Sequence, residues 1–189
     1  MTQVFSKQSQ RKLVAISGML MAALLMLPGG AREKNSAAAG LQARPAWTAV
    51  VATGVLDESS TAAAAFDATA LGFRSTGTSI VARYNVTNIV AGGGNPNVPG
   101  WTLLELGSTA PAGSSVQAQL FKVDPCTGRQ TPLCSGTPAV NAGAGGPHCR
   151  FCQFGPTAVD FTNALYYVEV TLKRSNTTLR PQAFTLRLK

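Results

Sequence analysis

Histidine is nearly absent from this chain: of 189 residues, only His148 is one. A Ser-His-Asp or Cys-His centre would have to use that position, and no recognisable nucleophile motif accompanies it. Acidic residues are also scarce, eight against sixteen lysines and arginines. Glycoside hydrolysis by paired carboxylates would draw on Asp57, Glu58, Asp67, Glu105, Asp124, Asp160 and Glu169. Asp57, Glu58 and Asp124 fall in turns, where acidic side chains are favoured for backbone reasons alone. Glu105 and Glu169 fall on the wet sides of strands, and no catalytic pair stands out. Calcium at Asp57, Glu58 and Ser59, or at Asp160, lacks the spaced D-x-D-x-D pattern. No metal and no cofactor is expected. Charged residues make up only 13% of the chain, and the basic ones are not interleaved with aromatics, which argues against nucleic acid as a partner. Lys173, Arg174, Arg180, Arg187 and Lys189 come nearest to a basic cluster. They read first as a solvated edge that resists edge-to-edge pairing, and second as a patch for an anionic surface polymer.

One apolar run is present, and it is short. Leu13 to Leu27 is free of charge, follows Lys7, Arg11 and Lys12, and ends at Pro28, Gly29 and Gly30. Its fifteen residues fall below the roughly 20 needed to span a bilayer, so it reads as a signal peptide cleaved after Ala31 rather than as an anchor. No cysteine follows it to carry a lipid, and no twin arginine precedes it. Residues 1–31 are thus the expected signal peptide, 32–45 a flexible leader, and 46–189 one domain with a net charge of +5, from thirteen basic and eight acidic residues after cleavage. The expected location is secreted or periplasmic, with no membrane contact once the signal is removed.

The chain has four cysteines, Cys126, Cys134, Cys149 and Cys152. In an oxidising compartment an even number predicts two disulfides, in any of three pairings. Cys149 to Cys152 form a CRFC motif in a loop rich in glycine and proline, not at a helix start where a thiol would be activated. Gln153 stands where haem attachment needs histidine. The spacing C-x7-C-x14-C-x2-C lacks the second close pair of a zinc ribbon. Structural bridges are the expectation.

Two-residue periodicity dominates the rest. Val159 to Lys173 is the clearest case: Tyr166, Val168, Val170 and Leu172 share one face, and Tyr167, Glu169, Thr171 and Lys173 the other. Ser79 to Ile89 alternates through Ile80, Ala82, Tyr84 and Val86, and Ser115 to Val123 through Val116, Ala118 and Leu120. Ala46 to Leu56, Trp101 to Leu106, Gln130 to Cys134 and Ala183 to Leu188 supply further strands, with Pro132 confining its strand to an edge. Ala64 to Arg74 pairs as a hairpin with Ser79 to Ile89, although Phe66 and Phe73 are out of phase and need a break between them. Ser135 to Pro156 reads as the longest loop. The prediction is an all-β, two-layer antiparallel sandwich of Greek-key or jelly-roll type with eight to nine short strands. Alternating strand directions would put loop 90–100 and turns 124–129 and 174–181 at one end, and loops 107–114 and 135–156 at the other.

Ligand-binding candidates are aromatic. Trp101, Phe151, Phe154 and Tyr167 could stack on sugar rings if they converge on an exposed face, though aromatics in a sandwich are more often core. Asn85 and Asn176 each begin a glycosylation sequon. The runs STGTSIVARYNVTNI, SSVQAQLFKVDPCTGRQTPL and VDFTNALYYVEVTLKRS resemble small secreted bacterial proteins of unassigned function, over about Phe73 to Lys189. That resemblance implies an exported all-β domain and brings no functional residues with it. The four cysteines are an addition to its pattern.

Together these readings predict a secreted, non-enzymatic sandwich with a binding or surface-structural role. The expected partner is a carbohydrate or a cell-envelope polymer. The alternative is a small secreted hydrolase or metal-dependent enzyme built on the Cys149–Cys152 loop.

Overall fold

A computed structural model describes residues 46–74, 76–88, 95, 97–134, 139–140 and 146–189, all inside one compact unit, Leu41–Lys189. The expected signal peptide and leader lie outside the described residues.

Among the described residues, twelve strand segments appear in order: β1 Trp47–Val50, β2 Val55–Leu56, β3 Ala64–Phe66, β4 Leu71–Phe73, β5 Ser79–Val86, β6 Leu103–Thr109, β7 Ser114–Val123, β8 Gln130–Pro132, β9 Ala139–Val140, β10 His148–Gln153, β11 Leu165–Arg174 and β12 Gln182–Leu188. They form two six-stranded antiparallel sheets. The first runs β10-β6-β12-β4-β3, with β1 also on β12; the second runs β2-β5-β11-β7-β8, with β9 also on β7. From β4 to β7, each strand lies in the other sheet from the one before it, and the same holds from β10 to β12. Winding back and forth between layers in this way gives the jelly-roll order, so the expected all-β sandwich is the observed fold.

Strand number and pairing differ from expectation in four places, one of them β9, which pairs with β7 inside the run expected as the longest loop. The run Ala46 to Leu56 is broken by a 3-10 turn at Val51–Thr53, so β1 joins one sheet and β2 the other. The run Ala64 to Arg74 is itself a hairpin: β3 pairs with β4, and the Asp67 carboxylate accepts from the Thr69 and Ala70 backbone N–H groups in the turn between them. That break explains the phase of Phe66, which is exposed, and Phe73, which is buried. β4 and β5 do not pair, because they belong to opposite sheets. Lastly, the CRFC run is not loop but β10, in register with β6 from His148 opposite Ser108 to Gln153 opposite Leu103. One more strand reverses every direction that follows it. Turn 174–181 therefore shares an end with loop 107–114, where the Ser175 N–H donates to the Gly113 carbonyl.

β11 is the centre of its sheet, paired over eight residues with β5 and over ten with β7. Its inward residues Val168, Val170 and Leu172 are fully buried and meet Leu104, Leu106, Leu186 and Leu188 in the common core of the two layers. Burying such side chains stabilises the fold by about 1.5–3 kcal/mol each, against the entropy of ordering the chain.

Candidate functional site

A CxxC on a strand behaves unlike one on a helix, because residues three apart on a pleated strand point to opposite faces. Cys152 turns inward and is bonded to Cys134, with Cα atoms 5.7 Å apart. Cys134 follows β8 of one sheet and Cys152 lies in β10 of the other, so the bridge ties the two layers at their edges. Cys149 faces out and, like Cys126 in the turn after β7, is a free, exposed thiol. One bridge thus forms where two were expected. Cys126 is held in a turn whose backbone N–H groups bond the Asp124 carboxylate, on the sheet that β10 does not join. With two of the four sulfurs bonded to each other, a four-thiolate zinc site cannot form. No group of three or more His, Cys, Asp and Glu side chains is placed to hold a metal among the described residues.

The carboxylates serve the backbone or pair with cations. Asp67, Asp124 and Asp160 each accept from backbone N–H groups two or three residues ahead. Hydrogen bonding holds all three below the usual aspartate range, led for Asp160 by the Asn163 side chain and for the other two by backbone amides. Asp57 is lowered chiefly by the Ser59 hydroxyl. Glu105 is lowered chiefly by Lys189, whose Nζ lies 2.6 Å from its Oε2. His148 Nε2 and Ser108 Oγ are both buried without a hydrogen-bond partner on residues directly opposite across β10 and β6. They are not bonded to each other, and Ser108 is sealed from solvent, so they form no nucleophile–base pair.

The four aromatic candidates do not converge. Trp101 is fully buried and meets the Phe161 ring edge-to-face at 6.1 Å, which makes it core. Phe154 is partly buried against the same core. Phe151 is 62% exposed on the outer face of the first sheet, level with Glu105 of β6 and Arg187 of β12. Tyr167 lies on the outer face of the second sheet, the opposite side of the sandwich.

Around Tyr167 the register builds a platform. Directly across β7 sits Phe121, and the two rings stack 5.0 Å apart with planes 10° from parallel. Pro132 of β8 lies opposite Phe121. The next row places Leu165, 61% exposed, opposite Val123, and Val123 opposite Gln130. The Tyr167 hydroxyl donates to Gln130 Oε1 at 2.8 Å, which fixes the ring. Asn85 flanks the tyrosine on β5. One row further along, Gln119 faces Glu169, and Glu169 faces Arg83. Phe121 escaped notice in the sequence because it follows the inward Leu120, yet the same alternation assigns it to the wet face, where a large ring is unusual.

No protein family matches this chain, and no curated protein does. Among solved structures, carbohydrate-binding modules from the β-sandwich superfamily align with 76% of it at 12% identity, with a TM-score of 0.41. The Gx strain of infectious bursal disease virus aligns with 76% at 11% identity and a TM-score of 0.35. The chain spans 54% and 36% of those two chains' own lengths.

Proposed function

We propose that this is an exported binding module, not an enzyme, and that it takes a glycan chain on the outer face of the sheet β2-β5-β11-β7-β8. The observation that carries this reading is the Phe121–Tyr167 ring pair, half-buried on the outer face of its sheet. A sugar ring offers an apolar C–H face and a rim of hydroxyls. Fixed aromatic rings bury the first at little entropic cost, and side-chain amides beside them donate to and accept from the second. Asn85, Gln119 and Gln130 are in place for that. Export is supported by the Cys134–Cys152 bridge and the apolar run near the amino terminus. No helix among the described residues is long and apolar enough to cross a membrane.

Affinity gel electrophoresis with immobilised polysaccharides tests the reading. Retention is expected for the native chain, with a loss on the order of tenfold in Tyr167→Ala or Phe121→Ala, about 1.4 kcal/mol. Phe151→Ala, on the other face, should leave it unchanged. Retention that ignores Tyr167 and Phe121 but fails in Phe151→Ala would move the site to the first sheet.

A further inference from the structure

Resting on that reading, the structure assigns the ligand's chemical class: we infer that the platform takes an uncharged polysaccharide, laid along β7. The outward row of β7 is Ser115, Gln117, Gln119, Phe121 and Val123, none of them charged, at about 6.8 Å per step. Beyond it, β8 adds Gln130 and Pro132, also neutral. A strip about 27 Å long therefore carries rings at one end and amides along the rest, with no charged side chain in its line.

The charges beside Gln119 on this face are engaged with one another. Arg83 Nε donates to Glu169 Oε2 at 3.0 Å, and its Nη1 lies 3.7 Å from Asp57 Oδ1. Lys173 lies opposite Ser115 at the far end of the row, six residues along β11 from Tyr167, about 20 Å from the rings and outside a Debye length at physiological salt. Lys122, next to Phe121 in sequence, points to the other side of the sheet. Among the described residues, the two rows that hold Phe121, Tyr167, Val123 and Leu165 carry no charged side chain; Asp124 and Arg129 stand in the turn beyond them. A neutral polymer needs only apolar surface for its C–H faces and amide partners for its hydroxyls, which the strip presents.

Three amide or aromatic side chains in one row, Gln117, Gln119 and Phe121, also argue against a mere exposed patch. A surface that evolved only for solubility would carry charges where Gln117 and Gln119 stand.

The test is a panel of neutral polymers (cellulose, xylan, mannan and starch types) and polyanions (alginate, pectate and heparin types), each run with the full exported chain at low and at high salt. The expected result is retention on at least one neutral polymer, changed less than twofold by salt, and weakened several-fold by Gln119→Ala as well as by Tyr167→Ala. Binding confined to polyanions and abolished by salt overturns the neutral assignment while leaving glycan binding in place. No retention on any polymer overturns the binding-module reading itself. A concentration-dependent dimer by sedimentation, lost in Tyr167→Ala, overturns both, because the face then belongs to a second copy of the chain. Circular dichroism of each variant separates lost contacts from lost folding.

Discussion

Arg174, Tyr84 and Tyr166 each point a polar group into this sandwich and tie a loop to it. The most demanding is Arg174, buried at the end of β11. Its Nε donates to the Gly77 carbonyl, Nη1 to those of Thr177 and Leu179, and Nη2 to those of Arg74 and Thr76. Its guanidinium also lies 4.1 Å from the Phe73 ring centroid. Five N–H donors thus meet five carbonyls from two loops, a fork that no other side chain can supply. Arg174→Lys keeps the charge and loses most of those bonds, leaving buried carbonyls unpaired. It should cost about 3 kcal/mol, seen as a lower urea midpoint at unchanged m. Tyr84 and Tyr166 act similarly. Tyr84 donates to the Val51 carbonyl at 2.5 Å and fixes the crossing between β1 and β2. Tyr166 accepts from the Asp160 N–H and holds the loop before β11.

Tyr84 carries a pH dependence whose sign follows from its burial. Desolvation disfavours the phenolate and raises the pKa above its ordinary value. Above about pH 10 the unfolded chain releases this proton while the folded chain keeps it, so the unfolded state binds fewer protons and stability falls as pH rises. The contribution is complete below pH 10 and lost towards the folded value. Tyr84→Phe should make that alkaline slope shallower, at a cost near neutral pH of about 1 kcal/mol for the missing bond to Val51. Urea midpoints from pH 8 to 11 would measure both. Residue identity makes Tyr84 and Tyr166 legible as inward positions by period alone. It does not announce Arg174, whose alternation with Leu172 is the same signal on a residue that composition assigns to the surface.

At the scale of elements, β10 decides what could be read. Its sequence HCRFCQ has a cysteine pair that suggests a metal or redox loop, and it is flanked by glycines and prolines. Only the partner makes it a strand: β6 pairs with it over its whole length, from His148 opposite Ser108 to Gln153 opposite Leu103, a long-range contact that no local pattern encodes. Without that strand the turn 174–181 falls at the wrong end of the sandwich, since β10 adds one reversal of the chain before β11. β3 and β4 were hidden differently, as two three-residue strands inside one stretch that a single strand could fill. The bridge between Cys134 and Cys152 spans eighteen positions and fastens β10 to the segment that continues β8, beside Pro132 of the ring platform. Replacing both cysteines by serine should lower stability by about 3 kcal/mol, the chain-entropy value for a loop of this size. It should also make the chain cleavable between Cys134 and Cys152 by a nonspecific protease at concentrations that leave the bridged protein intact.

On the scale of the whole molecule, the two-layer architecture was legible because every long strand alternates, and alternation requires a second layer. The order of strands within a sheet was not, since in a jelly roll most sequence neighbours sit in opposite layers and pair with strands far along the chain. The ring platform has the same origin: Phe121 and Tyr167 are 46 residues apart and meet only through the β7–β11 register. What the whole fold shares is its set of carboxylates, and these fix its acid limit. Asp57, Asp67, Asp124, Asp160 and Glu105 all have pKa values held below their ordinary ones by hydrogen bonds or a neighbouring cation. In the unfolded chain they take up protons near pH 4, while the folded chain resists until lower pH. The unfolded state then binds more protons, so stability is full above that range and falls as pH drops through it. Each contribution is small at these exposed positions, but they act together. Asp67→Asn keeps a side-chain oxygen for the Thr69 and Ala70 amides and removes one titrating group. Thermal unfolding from pH 6 to 2 should show a monotonic fall for the native chain and a shallower one for this variant. A slope that Asp67→Asn leaves unchanged would mean that the other carboxylates carry the acid limit.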